Sequence, residues 1–349
     1  MKKLMNPPIS QANHAAVDAR WLALHDEPVL DPDRRIIDPH HHLWDRKGME
    51  YEADELLADL YCGHDIRATV FVQCRTHYRD HDPPLLRPVG ETEYVARLAA
   101  DIDQAHPQLQ ACKGIICHAD LTAGDQLEAV LKAHIEAGRG RVKGVRHSTA
   151  WDADPEVFNP ELGGGPHMLR EESFRTGVAR LAEWGLTYDA WVYHPQIPEV
   201  AALARACPQA IIVLNHAGGP VGIGKYAASP RAVFEEWLHS MRELASCPNV
   251  SVKLGGLAMR ISGTTFHQQA TPPGSEALAE RWAPYVHACI EAFGPQRCMF
   301  ESNFPVDKAS CSYAVLWNAF KRLAARYSEE DQDALFFGTA QRVYALAIE

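Results

Sequence analysis

Short apolar or β-branched segments recur along the chain, and each is followed by a longer segment in which apolar residues return every three or four positions. The apolar segments predict eight strands, at residues 35–38, 67–73, 112–118, 142–147, 186–193, 210–215, 249–254 and 297–302. The helical spacing occupies residues 92–105, 125–137, 173–184, 197–206, 230–245, 276–292 and 312–326. Nearly continuous runs such as Ala-Thr-Val-Phe-Val at 68–72 are typical of parallel strands buried on both faces.

Alternating strands and helices allow either a closed barrel or an open doubly wound sheet. Because no Gly-x-Gly-x-x-Gly follows the first strand, we predict an α/β fold of the (β/α)8 TIM-barrel type. A length of 349 residues suits one barrel domain, here residues 35–349, with residues 1–34 as an extension packed outside it. The irregular stretches 152–170 and 260–275, together with 76–90, are expected to be long strand-to-helix loops at the catalytic rim.

Composition narrows the class of partner. The formal charge is -11 and no dense Lys/Arg cluster occurs, which argues against nucleic acid and anionic membranes as partners and favours a small-molecule substrate. Nine cysteines lack the spacing of a zinc ribbon or a disulfide framework, so we expect reduced thiols. No apolar run reaches bilayer length and no signal-like segment opens the chain, so a cytoplasmic protein is expected. A homo-oligomer is expected only because barrels of this type often form oligomers.

The strongest chemical signal is Asp38-Pro39-His40-His41-His42 at the end of the first strand. Because strand side chains alternate, His40 and His42 should point one way and His41 the other. Two imidazoles at this spacing can hold one divalent metal or polarise a carbonyl directly. A hydrated His-rich strand end is the competing interpretation.

Two further strand ends add candidate groups. His216 lies where the sixth strand breaks into Ala217-Gly218-Gly219-Pro220, a position where barrel enzymes place catalytic groups. Glu301 lies inside the apolar eighth segment, where a carboxylate needs a partner, and alternation places Asn303 on its face. A satisfied core histidine and a structural ion pair are the alternatives for His216 and Glu301.

Four other residues could complete the rim as substrate-binding groups. Arg146 and Lys253 end the fourth and seventh strands, where a cation either anchors an anionic substrate or neutralises a carboxylate. Gln73 and Tyr193 follow the second and fifth strands and could contact substrate or cap the strand ends.

A family resemblance rests on four motifs in order. These are Asp-Pro-His-His-His-Leu-Trp-Asp at 38–45, Gly-Val-Arg-His at 144–147, Leu-Asn-His-Ala-Gly-Gly-Pro at 214–220 and Phe-Glu-Ser-Asn-Phe-Pro-Val-Asp at 300–307. The set resembles the amidohydrolase-2 family, within it the predicted metal-dependent TIM-barrel hydrolases that include sugar lactonases and 2-pyrone-4,6-dicarboxylate lactonase. The resemblance covers about residue 30 to the C-terminus.

The resemblance implies a His-x-His on strand one (His40 and His42), an arginine after strand four (Arg146) and a histidine after strand six (His216). It also implies an acidic general base that ends strand eight. This sequence departs from the family there, because the aspartate position holds Asn303. An amide accepts no proton at neutral pH, so Glu301 is the expected base and Asp307 the second choice.

The resulting hypothesis is hydrolysis of a lactone or another cyclic ester of a small anionic substrate. One divalent metal, with zinc as the expected ion, would be held by His40, His42, His216 and Glu301, or the imidazoles would act without it. The alternatives are a metal-dependent non-oxidative decarboxylase, an amide or cyclic-imide hydrolase, and a barrel that only binds a ligand.

Overall fold

The computed structural model of the protein describes residues 15–46, 49–159 and 162–348. Its main sheet has eight parallel strands joined in the order β1, β4, β5, β6, β7, β8, β9 and β10. These strands are Arg35–His41, Asp65–Val72, Gln110–Cys117, Val142–Val145, Thr187–Ala190, Ile212–Leu214, Val250–Leu254 and Cys298–Phe300. A separate two-stranded antiparallel sheet is formed by β2, Trp44–Arg46, and β3, Met49–Tyr51.

Helices follow the strands and cover the sheet from outside. The principal helices are α2 (Ala53–Leu60), α3 (Val89–Ala105), α4 (Leu127–Ala137), α5 (Glu172–Glu183), α6 (Ile197–Ala206), α7 (Pro230–Ala245), α8 (Ser275–Phe293) and α9 (Tyr313–Ala324). The shorter ones are α1 (Ala19–Leu22), α10 (Glu329–Asp333) and α11 (Thr339–Val343), with one π-helical turn at Ala334–Gly338. The prediction of a (β/α)8 TIM barrel is confirmed.

Amphipathic spacing explains why the outer helices form and which face they bury. In α5, Phe174, Gly177, Val178 and Leu181 are buried, which is the three- and four-residue repeat of one helix face. Local capping fixes other boundaries: Ser312 accepts a hydrogen bond from the Val315 N–H at the start of α9. None of the helices in the described part of the chain combines the length and the apolar composition that a membrane span requires.

Backbone hydrogen bonds between β1 and the segment after β10 bring the two ends of the sheet together. The Asn303 N–H donates to the His40 carbonyl at 2.9 Å, and the His42 N–H donates to the Phe304 carbonyl at 2.7 Å. His41 and Phe304 form a parallel bridge at the same place. The barrel is therefore joined by the same segments that carry the candidate chemistry.

The C-terminal segment covers the amino ends of the strands. Phe337, Ala340, Tyr344 and Leu346 pack with inward-facing strand residues in one apolar cluster. Lys143, at the start of β6, donates to the Ala345 carbonyl at 3.4 Å. This closes one end of the barrel and leaves the carboxyl ends of the strands for the site.

Part of the predicted N-terminal extension lies against α9. The Asn318 amide accepts the Leu30 N–H at 2.8 Å, and the Lys321 ammonium donates to the carbonyls of Leu30 and Asp31 at 2.8 and 2.6 Å. Residues 1–14 of that extension are outside the described residues. The domain boundary at residue 34 stays a prediction.

Candidate active site

A cavity opens at the carboxyl ends of the barrel strands. It is lined by six residues named from the sequence: His42, Gln73, Arg146, Tyr193, His216 and Asn303. The predicted rim loops contribute to its wall, because Asn159, Leu162, Arg260 and Ile261 also line it.

Glu301 stands between two imidazoles just beyond the end of β10. Its Oε1 atom is 2.7 Å from His216 Nδ1 and also accepts the His216 backbone N–H at 3.0 Å. Its Oε2 atom is 2.7 Å from His40 Nδ1. The Glu301 and His40 side chains are completely buried, and the two histidine rings lie 4.5 Å apart. The predicted convergence of β1, β8 and β10 on one centre is thus present.

Both imidazoles of this centre are held neutral. Burial lowers the pKa of His40 well below its usual value, and the positive charge of Lys253 lowers it further. Burial also lowers the pKa of His216, although the Glu301 carboxylate opposes the shift. A neutral imidazole is the form that binds a metal or accepts a proton.

The three side chains fit a divalent metal. One ligand atom from each of His40, His216 and Glu301 lies within 4.8 Å of the others. Glu301 Oε2 is buried and receives no hydrogen bond of acceptable geometry from the described residues, despite its closeness to His40. Two nitrogens and one carboxylate oxygen are a ligand set that zinc accepts. His42, predicted as a further ligand, lies outside this group, and its ring is 4.9 Å from that of His40.

His42 instead faces the cavity with one nitrogen fixed. Its Nδ1 atom is 2.7 Å from the Val72 carbonyl, and a carbonyl only accepts, so Nδ1 carries the hydrogen. This leaves Nε2 of the neutral ring as an acceptor. The ring also stacks on Trp44 at 6.3 Å.

The predicted substrate-binding cations occupy different places. Arg146 lines the cavity, donates to the Gln73 carbonyl at 2.5 Å, and lies 3.2 Å from His40 Nε2. Lys253 is completely buried behind His40, with its ammonium 3.4 Å from His40 Nδ1 and 2.8 Å from Asp189. Lys253 is not among the described residues that line the cavity. Of the two cations, only Arg146 is placed to meet a substrate directly.

Asp189 anchors a polar network that the sequence analysis missed. Besides Lys253, its carboxylate accepts hydrogen bonds from Asn215 Nδ2 at 3.0 Å and from the Tyr344 hydroxyl at 2.9 Å. The signal lies in Thr187-Tyr188-Asp189-Ala190, where a carboxylate interrupts an apolar strand as Glu301 does. Through Asp189, the network links Tyr344 of the C-terminal segment to Lys253, which lies next to His40.

Asn303 and Asp307 form a pair beside the cavity. Strand β10 ends at Phe300 and Asn303 has a left-handed φ of 55°, so strand alternation does not decide where its side chain points. The Asn303 Nδ2 donates to Asp307 at 3.1 Å. Burial raises the pKa of Asp307 to about 8, while the hydrogen bonds from Ala258 and Asn303 oppose the shift. Asp307 is not among the described residues that line the cavity, so it is not placed to take a proton from water there.

Several cavity residues were not found from the sequence. Three arginines, Arg46, Arg75 and Arg260, join Arg146 in the lining, and Trp44 and Trp191 add aromatic surface. Arg46 lies on β2, a three-residue strand too short for a periodicity signal. Arg75 could have been found, because it follows Gln73 by two residues at the same strand end.

Glu91 on α3 supports the wall that carries Gln73, Cys74 and Arg75. It is buried, and its Oε1 atom accepts the N–H groups of Cys74 and Thr76, each at 2.9 Å. Burial raises the pKa of Glu91 from 4.5 to about 7. A titrating carboxyl therefore holds the turn that forms this side of the cavity.

We expect Glu91→Gln to change how stability depends on pH. Between about pH 4.5 and 7 the native state binds more protons at Glu91 than the unfolded chain, so its contribution to stability, present below this window, is lost as pH rises through it. Thermal unfolding midpoints across this window should fall less steeply for the variant than for wild type. The exposed control E280Q should follow wild type, and parallel profiles for E91Q would contradict the assignment.

Fold and site together define an enzyme class: a (β/α)8 barrel with a buried His–Glu–His centre at the carboxyl ends of its strands. The family model described as Amidohydrolase matches residues 37–346, and the chain belongs to this family. It is a hydrolase.

Three similar proteins give this assignment detail. An uncharacterized protein, y4mH of Sinorhizobium fredii, is 31% identical over 89% of this chain and 99% of its own length. The L-fucono-1,5-lactonase of Burkholderia multivorans is 29% identical over 89% of this chain and 96% of that protein. A crystal structure of an amidohydrolase from Burkholderia multivorans with bound zinc has 27% identity and a TM-score of 0.69, covering 89% of this chain and 99% of that one.

Proposed function

We propose that this hydrolase opens the ring of a lactone, a cyclic ester, carried by a small anionic molecule. The observation that carries the proposal is the buried Glu301 carboxylate between His40 and His216 at a cavity lined by arginines. The similarity to an enzyme named L-fucono-1,5-lactonase supports a lactone over a carboxylate that loses carbon dioxide. No specific feature of the site favours the decarboxylase or the amide hydrolase.

The cavity charge supports an anionic substrate. Four arginines, Arg46, Arg75, Arg146 and Arg260, line it, and no acidic side chain occurs among the described lining residues. The Arg146 Nε is buried and has no hydrogen-bond partner among the described residues. The Arg146 side chain borders the cavity, and a guanidinium there suits a substrate carboxylate or hydroxyl.

The hydrogen-bond pattern assigns the proton-accepting atom. Glu301 accepts from His216 Nδ1, so the hydrogen lies on Nδ1 and Nε2 is left as the acceptor. His216 lines the cavity, whereas Glu301 is completely buried. We therefore give proton transfer to His216 and give Glu301 the role of orienting it. This differs from the sequence prediction, in which Glu301 met the water itself.

Ring opening takes place in two steps. The water oxygen bonds to the carbonyl carbon, its proton passes to His216 Nε2, and the carbonyl π electrons move to oxygen. When the carbonyl reforms, the ring C–O bond breaks and the proton passes from His216 to the departing alkoxide, giving a hydroxy acid. Arg146 stabilises negative charge that develops on the substrate.

The metal that we propose is zinc, held by His40 and Glu301, because His216 donates through Nδ1 and keeps Nε2 free for the proton. When bound, it supplies Lewis acidity for the carbonyl oxygen. The neutral state of the His40 imidazole supports the choice of these ligands, as does Glu301 Oε2, which lies 2.7 Å from His40 Nδ1 but receives no well-aligned hydrogen bond from the described residues.

The test is ring opening on a panel of lactones with and without a carboxylate, together with elemental analysis before and after chelation. We expect turnover of carboxylate-bearing lactones, about one zinc per chain, and a fall of about a hundredfold or more in kcat when the metal is removed. Retained turnover without metal would overturn the zinc proposal and keep the lactonase. Release of carbon dioxide, turnover of cyclic imides alone, or ligand-induced thermal stabilisation without turnover would overturn the lactonase.

A further inference from the structure

We propose that Asn303 orients the attacking water through its amide oxygen, and that Asp307 is the positioning residue that sets the orientation of this amide. The inference rests on the hydrolytic function proposed above. It gives a role to a residue that cannot act as a base.

The backbone of Asn303 is anchored on both sides. Its N–H donates to the His40 carbonyl at 2.9 Å, and its carbonyl accepts the Asp307 N–H at 3.2 Å. The residue has φ 55°, in the left-handed region where asparagine is enriched among non-glycine residues. The direction in which its side chain leaves the backbone is therefore fixed beside His40.

The side chain is fixed in turn by Asp307. Asp307 Oδ1 accepts from Asn303 Nδ2 at 3.1 Å, while Oδ2 accepts the Ala258 N–H at 3.3 Å. Asp307 is buried, so these two bonds hold it without competition from solvent. The nitrogen end of the Asn303 amide is thereby turned away from the cavity.

The oxygen end of the amide is left to face the cavity. Asn303 lines that cavity together with His216. An amide oxygen accepts hydrogen bonds, as does the free Nε2 of His216. A water that donates one hydrogen to each acceptor has its lone pairs free for the carbonyl carbon. Asn303 would align this water without taking its proton.

A double-mutant cycle separates this role from general support of the fold. We expect Asn303→Ala to lower kcat by about tenfold to a hundredfold with little change in KM, because a misaligned nucleophile slows chemistry without weakening substrate binding. Asp307→Asn can present either end of its amide to Asn303, so it should lower kcat less than Asp307→Leu does. In the Asn303→Ala background both Asp307 substitutions should have no further effect on kcat.

Four outcomes would overturn the inference. Losses that multiply in the double variants would mean that Asp307 acts independently of Asn303, and a full wild-type kcat in N303A would remove the role of the amide. A rise in KM with kcat unchanged would make Asn303 a contact to the substrate. A wild-type enzyme that opens no lactone would overturn the proposed function, and this inference with it. If D307L does not fold, the cycle with D307N decides alone.

Metal content supplies an independent readout. Neither Asn303 nor Asp307 belongs to the His40, His216 and Glu301 group. N303A and D307N should therefore keep the wild-type metal stoichiometry while kcat falls. Parallel loss of metal and kcat would show that the substitutions disturb the metal ligands, which would contradict the orienting role.

Discussion

Glu301→Gln is expected to lower kcat/KM by about a thousandfold or more, within the range seen when acid–base chemistry is lost. The carboxylate contacts two imidazoles, His216 just after β8 through Oε1 and His40 on β1 through Oε2, both at 2.7 Å. A neutral amide neither holds the His216 Nδ1 hydrogen with the same strength nor supplies the charge that favours protonation of Nε2. The proposed metal would lose its anionic ligand as well.

The measurement is steady-state kinetics on the best lactone of the panel, with metal analysis and thermal unfolding of each variant. Glu199→Gln is a matched control, because Glu199 is also buried and paired, with His167 and Arg170, but is absent from the described cavity lining. E199Q should keep the wild-type kcat/KM. Full turnover by folded E301Q would remove Glu301 from the reaction.

Lys253→Met is expected to lower the free energy of unfolding by about 3–5 kcal/mol. The ammonium and its Asp189 partner are both completely buried, at 2.8 Å. Removing the cation leaves a buried carboxylate whose remaining donors, including Asn215 and Tyr344, are neutral. An uncompensated buried charge costs more than the lost ion pair itself.

Urea unfolding of K253M and of the double variant K253M/D189N tests this explanation. The double variant removes both charges and should recover most of the lost stability, so the two substitutions should not add. Lys132→Met breaks an exposed pair with Glu128 and should change the free energy of unfolding far less than Lys253→Met. Additive losses at Lys253 and Asp189 would show that volume or packing, rather than charge, determines the effect.

Periodicity predicted the repeating elements because their signals are local. The run 230–245 was predicted as a helix and forms α7, Pro230–Ala245, since proline starts it and an apolar stripe continues along it. The small sheet of β2 and β3 was missed, because three-residue strands contain too few positions for a two-residue period. Arg46 and its place in the cavity were missed with it.

Strand ends were less predictable than strand centres. The predicted strands 210–215 and 297–302 end at Leu214 and Phe300, because His216 and Asn303 adopt left-handed φ angles that stop an extended backbone. Glu301 was found from sequence because a carboxylate in an apolar run needs a partner. Which partner it meets depends on contacts between distant strands, as does the pairing of Lys253 with Asp189, and no local pattern encodes them.

The two backbone hydrogen bonds that join the sheet ends have a consequence for refolding. They connect His40 and His42 to Asn303 and Phe304, so the last strand docks in the same event that brings His40 next to Glu301. An intermediate with seven docked strands would have the arginines of the cavity in place but would lack the Glu301 carboxylate. After dilution from urea, activity should therefore return only in the phase in which the last strand docks, and no species that lacks this strand should hydrolyse substrate.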